Sequence, residues 1–212
     1  MQGDYRNQFS GFNSLIGMQD LIIKNIHRHI TPTQDEIEIF SSLLTPKTIK
    51  RKGFLLQEGE VAKHQFFVTS GCLRTYTIDS GGKEHILMFA PEDWWCSGDL
   101  FSFLSGQPSV NNLDALEPTS VLQISRNNLD ILYEQAPKFE RFFRILFQNA
   151  FVFHQNRINT NLSQPAEGRY SQFTHFYPDL ETRVSQKYIA SYIGVTPEFF
   201  SQMKANMSRK KS

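Results

Sequence analysis

The stretch 183–204, RVSQKYIASYIGVTPEFFSQMK, constrains the fold most, because its local signals parse as two short helices meeting at a tight turn. Ser185 stands where a side chain caps a first helix over 186–192, and Gly194 suits a turn that requires positive φ. Thr196 then caps a second helix, with Pro197 at its first position and Glu198 on the positive end of its dipole. The small Ala190 falls where the helices must cross closely. Ile189, Ile193, Val195, Phe200 and Met203 are spaced to close a small core between them. This is the spacing of a helix-turn-helix.

An ordinary pair of packed helices carries the same signals, so the motif alone leaves two readings open. Two features favour contact with DNA. The outward positions of the second helix, Thr196, Glu198, Phe199, Ser201, Gln202 and Lys204, are mostly polar groups able to reach base edges or phosphates. The chain then ends in SRKKS. Net charge is only +1, so nucleic-acid affinity has to come from a local patch, and Lys204, Arg209, Lys210 and Lys211 supply one.

The remaining composition narrows the class. With 212 residues, 40% of them hydrophobic and 19 of them Phe, one large domain or two modest ones can be packed. Cys72 and Cys96 are too isolated for a disulfide framework, a zinc site or an iron–sulfur cluster. Neither a membrane-length apolar run nor a signal-peptide pattern is present, so a cytoplasmic protein without a membrane partner is expected, and the Asn-x-Ser triplets at Asn161 and Asn206 are chance.

Residues 1–17 lack periodicity and read as a loose leader, with Met18 an alternative start. Helical spacing follows over 20–30 and 33–43, the second opened by a Thr33/Glu36 capping box. Over 48–124 the pattern changes to short apolar runs cut by glycine. Strands are expected at 49–56, 66–69, 73–78, 84–89 and 120–124, with hairpins through Ser70-Gly71 and through 79–82. That density of short strands predicts an antiparallel β jelly-roll barrel. A short helix is expected over 127–135 and a long one from Lys138 to about Leu162. In the long helix Phe139, Phe142, Leu146 and Phe153 lie near a coiled-coil seam, while Phe143, Phe147, Phe151 and Val152 occupy other faces. One side is expected to cover the barrel and the other to pair with a second subunit; a single central helix inside a monomer is the alternative.

Barrel, long helix and helix-turn-helix, in that order, resemble the family of cyclic-AMP receptor and FNR-type transcription regulators. The resemblance covers 33–204 and rests on the glycine series Gly53, Gly59, Gly71, Gly82 and Gly98, on Gly98-Asp99-Leu100, and on SQKYIASYIGVTPEFFSQ. It implies an α+β chain: a cyclic nucleotide-binding-like sensor domain over 18–137, a dimerisation helix over 138–163, and a DNA-binding domain over 164–212 whose wing is truncated or missing. It further implies a homodimer that binds DNA, admits RNA polymerase as a further partner, and has no catalytic activity.

The effector pocket is expected around Gly98, Asp99, Leu100, Ser109 and Val110, where Ser109 falls at the position at which the resemblance implies a phosphate-pairing Arg. No Arg lies between Thr75 and Ser125, and Lys83 is the only Lys there. A buried phosphodiester needs a charge-assisted partner, so cyclic AMP is not the expected effector and no cofactor or metal is assigned. Trp94, Trp95, Phe101 and Phe103 suggest a more apolar ligand or a vestigial pocket. Two rival classes stay open: a partner-binding sensor with a decayed DNA-binding domain, and a metal-dependent barrel enzyme, for which only His64 and His85 lie in the barrel.

Overall fold

Among the described residues, eight short strands, each ended by a turn, close into two four-stranded antiparallel sheets. The computed structural model describes residues 20–209, so the leader expected over 1–17 and the tail residues Lys210 and Lys211 lie outside the described residues. A helix over 20–27 (α1) and α2 (Gln34–Ser42) precede the strands β1 (Thr45–Ile49), β2 (Phe54–Leu56), β3 (His64–Ser70), β4 (Leu73–Ile78), β5 (Glu84–Ala90) and β6 (Trp95–Cys96). Then come α3 (Leu100–Ser105), β7 (Asn112–Ala115), β8 (Thr119–Ser125), α4 (Arg126–Gln135) and α5 (Lys138–Ser163). The chain continues through α6 (Ala166–Phe176), a 3-10 turn at Leu180–Thr182, α7 (Gln186–Ile193) and α8 (Pro197–Arg209).

One sheet runs β1-β8-β3-β6 and the other β2-β7-β4-β5. The capping box forms as the sequence predicts: the Thr33 hydroxyl accepts the Glu36 N–H, and the Glu36 carboxylate accepts the Thr33 N–H. Two strand expectations are corrected. The run 49–56 is not one strand but the end of β1, a turn and β2, because the backbone turns at Lys52, with φ 65°, and a side chain at Gly53 would meet Ile49 Cγ2 at 2.7 Å. Ser70-Gly71 does not close a hairpin: β3 pairs with β8 and β6, whereas β4 crosses to the other sheet and pairs with β5 and β7. Gly71, at φ 86°, makes that corner against the Pro118 carbonyl. The turn over 79–82 does join a true hairpin, with Leu73 opposite Ala90 and Ile78 opposite Glu84.

The barrel core continues into α1, α2, α4 and the first turns of α5, where Phe40 stacks on Phe139 at 4.6 Å. A second core gathers Tyr76, Ile86 and Phe89 of the barrel with Phe173, Tyr177, Ile189 and Phe200 of the C-terminal helices. Here α7 covers β5, the edge of its sheet. The Ser191 hydroxyl accepts the Ile86 N–H at 3.1 Å and donates to the Glu84 carbonyl at 2.8 Å, so it stands in for a neighbouring strand. In α5 the seam set turns inward: Phe139 and Phe142 are buried, and Phe153 packs on Trp94 and Phe176. The outward stripe is instead Phe151, Ile158 and Leu162, which are 62%, 53% and 84% exposed.

Candidate nucleic-acid interface and effector cavity

The helix pair closes through its glycine. Gly194 sits at φ 73°, and the Val195 N–H donates to the Ala190 carbonyl at 3.0 Å. Ser185 occupies the extended N-cap position without a side-chain bond, and the Thr196 hydroxyl accepts the Phe199 N–H at 3.2 Å. Ile189, Ala190, Ile193, Phe200 and Met203 are buried between the helices. With those positions turned in, Thr196, Glu198, Phe199, Ser201 and Gln202 face out along one side of α8, and Phe199 is 50% exposed.

Lys204 departs from the expected reading face. Its ammonium pairs with the Glu181 carboxylate, which also accepts the Tyr170 hydroxyl at 2.7 Å, and it lies 5.9 Å from the Tyr170 ring centre. It braces α8 against the 3-10 turn. Asn206, one turn beyond Gln202, is exposed and extends the outward row; the i, i+4 spacing was the signal for it.

The helix pair is tied to the barrel by charge as well as by packing. Arg74 of β4, 4% exposed, donates to both Asp114 oxygens and to Glu84, and its guanidinium lies 4.4 Å from the Tyr188 ring centre of α7. Arg183 grips Glu92 and Glu117. Arg157 of α5 donates to the Ile86 carbonyl at 2.6 Å and the Tyr192 carbonyl at 2.9 Å.

Between the sheets and α5 lies a cavity of about 250 Å³. Gly98, Asp99 and Leu100 line it, facing Leu146, Phe147, Ala150 and His154 of α5. Asp99 caps α3 by accepting the Ser102 N–H at 3.0 Å, and its other oxygen accepts the Ser109 hydroxyl at 2.9 Å and the Asn111 amide at 3.0 Å. Ser109 is thus buried behind Asp99, and Val110 is 65% exposed; neither lines the cavity, contrary to expectation. The sequence distance from Gly98 to Val110 hides this, because the intervening α3 is only six residues long and carries no strong periodicity.

No Lys or Arg is among the lining residues. Gln65 and Thr75, which no sequence motif singled out, also line the cavity; Gln65 Nε2 and Thr75 Oγ1 are buried without a hydrogen-bond partner. Cys96 completes the wall with its thiol pushed up to about 12 by burial, which leaves no thiolate for chemistry at neutral pH. Burial, with help from Arg157, holds the His154 imidazole below its usual value.

Of the four aromatics expected at the pocket, Trp95 lines this cavity and Trp94 an adjoining one of about 370 Å³. Phe103 is buried in the barrel core and Phe101 is 67% exposed. His85 bonds Asp79 at 2.6 Å, and among the described residues no three His, Cys, Asp or Glu side chains gather as metal ligands.

A cyclic nucleotide-binding domain model matches residues 46–136. The fumarate and nitrate reduction regulatory protein of Vibrio cholerae is 26% identical over 205 residues, spanning 89% of this chain and 79% of the relative. The regulatory protein HlyX of Actinobacillus pleuropneumoniae is 23% identical, spanning 89% and 82%. FixK2 from Bradyrhizobium japonicum superposes with a TM-score of 0.67 at 18% identity, over 79% of this chain and 86% of that one. A regulator of the crp/fnr family from Eubacterium rectale gives a TM-score of 0.62 at 17% identity, over 84% of each chain. These relatives are regulators rather than enzymes.

Proposed function

We infer how this chain works from the premise that it belongs to the CRP/FNR family of transcription regulators, whose members bind DNA and act as dimers. It is a DNA-binding transcription regulator, not an enzyme. In our reading it dimerises through the outward stripe of α5 and presents two copies of α8 to successive major grooves. Unidentified effector and RNA polymerase are its further partners.

The observation that carries this reading is the outward row of α8, mostly polar and exposed over a closed apolar core. In this reading Gln202 bonds an adenine edge through its amide, and Glu198 accepts from a cytosine amino group. Ser201 and Thr196 can reach phosphates, which position the helix without reading sequence.

Cyclic AMP does not suit the cavity. A cyclic phosphate there meets no cationic side chain and shares the space with the Asp99 carboxylate, and an unpaired buried charge is strongly disfavoured. Binding of the full chain to selected oligonucleotides, with and without cyclic AMP, tests both points. Gln202→Ala should relax preference at one base pair by about 1–3 kcal/mol, and cyclic AMP should leave the selected site and the affinity unchanged. An unaltered preference in the variant would remove Gln202 from the reading face.

A further inference from the structure

We propose that the cavity between the barrel and α5 takes an uncharged single-ring molecule carrying an oxygen acceptor, held by Gln65 and Thr75. The proposal rests on reading this cavity as the effector site and adds the chemical class of the effector.

Three observations define that class. The first is the pair of unsatisfied groups. Gln65 of β3 and Thr75 of β4 are 4% and 5% exposed, both line the cavity, and Gln65 Nε2 and Thr75 Oγ1 have no partner. Buried polar groups in folded proteins are almost always bonded, so two orphans on one cavity wall point to a missing partner. An amide N–H and a hydroxyl O–H are both donors, and one carbonyl or ether oxygen has lone pairs for both.

Charge is the second. The lining holds no Lys or Arg, and the Asp99 carboxylate, which accepts from Ser102, Ser109 and Asn111, adds negative potential. An anion is disfavoured by that carboxylate, and a cation finds its oxygens already accepting three hydrogen bonds. The third is size and surface. A cavity of about 150 Å³ holds a benzene ring, so about 250 Å³ has room for one ring with a short substituent. Met88, Trp95, Leu146 and Phe147 offer that ring an apolar and aromatic bed.

Isosteric probes separate these requirements. Acetophenone is neutral with an acceptor, ethylbenzene is neutral without one, and benzoate is an anion of the same size. Titrated into the full-length protein and followed by NMR, acetophenone should bind at least tenfold tighter than ethylbenzene or benzoate, and cyclic AMP should not compete. In the Gln65→Leu/Thr75→Val double variant, acetophenone and ethylbenzene should bind alike. That variant removes both orphans, so its melting temperature should equal or exceed the parent's. Should it fail to fold, contacts between the acetophenone methyl group and Thr75 and Met88 in the parent protein carry the test.

Benzoate or cyclic AMP binding tighter than acetophenone would overturn the proposal, as would an unchanged preference in the double variant. So would ordered water on Gln65 with no preference among the probes. DNA binding measured by anisotropy on the same protein before any probe is added keeps the outcomes apart: DNA bound with no probe preference refutes the ligand class alone, while no DNA binding by the probe-free protein refutes the regulator reading.

Discussion

Arg157 is a largely buried guanidinium that makes no ion pair among the described residues. Burial lowers its pKa, and what holds the charge in place is a pair of carbonyls, Ile86 on the barrel edge and Tyr192 in the last turn of α7, with the Tyr192 ring 4.0 Å beneath it. A cation at a helix C-terminus is stabilised by the dipole, and a planar fork can serve two carbonyls and a ring at once. Lys offers a single point charge. Arg157→Lys should therefore fail to rescue Arg157→Ala, and both should lose about 1.5–3 kcal/mol in urea unfolding; full rescue by Lys would show that charge alone matters.

A second test at this scale concerns histidines. Burial first, and then neighbouring cations, hold His29 and His64 below the usual imidazole value. A depressed folded pKa means the unfolded chain binds more protons. The associated stability is present above the usual histidine value and is lost as pH falls from there through the folded value. The melting temperature should decline over that window, and His64→Gln should flatten the decline; a parallel curve would exclude His64 as a contributor.

At the scale of elements, the proposed dimer makes a test of α5. Phe151 and Ile158 are seven residues apart and Leu162 follows four later, so the exposed apolar groups form a stripe of coiled-coil period. Phe151→Glu with Ile158→Glu should convert the dimer to monomer in sedimentation while leaving the far-ultraviolet spectrum intact, because neither side chain enters the chain's own core. The sequence showed that α5 is apolar on more than one face without saying which face meets the barrel; the seam residues Phe139 and Phe142 do, together with Phe143 from the other set. Phe139 and Phe142 look like a seam until the barrel that buries them is in place.

The same distinction explains the other successes and failures. The capping box of α2 and the Gly194 turn were legible because their signals act over three or four residues. The Ser70-Gly71 corner was not, because a hairpin and a crossover between sheets share one local turn chemistry and differ only in which distant strand is the partner. Lys204 was misplaced for a related reason, since its partner Glu181 lies 23 residues away. Gln65 and Thr75 were invisible as site residues, because two ordinary strand residues become unusual only when their neighbours leave them unbonded.

At the scale of the whole molecule, the helix-turn-helix shares a buried core with the barrel, so the two are expected to unfold as one cooperative unit. Phe89 of β5, fully buried, lies 6.0 Å from the Phe173 ring, 5.7 Å from Tyr177 and 5.5 Å from Tyr192, so one barrel side chain supports α6 and α7 together. Ser191, Arg157 and Tyr177 complete the contact by satisfying the edge of β5. Removing the Phe89 ring leaves a cavity that both parts border, and Phe89→Ala should cost about 3–5 kcal/mol. The loss should appear at once in barrel and helix-turn-helix amides when hydrogen exchange is followed residue by residue, and calorimetry should keep a single transition. If α7 and α8 kept their protection while the barrel lost its own, the reading head would be an independent domain. An effector would then have to act through α5 alone rather than through strand β5, which faces the cavity on one side and carries α7 along its edge.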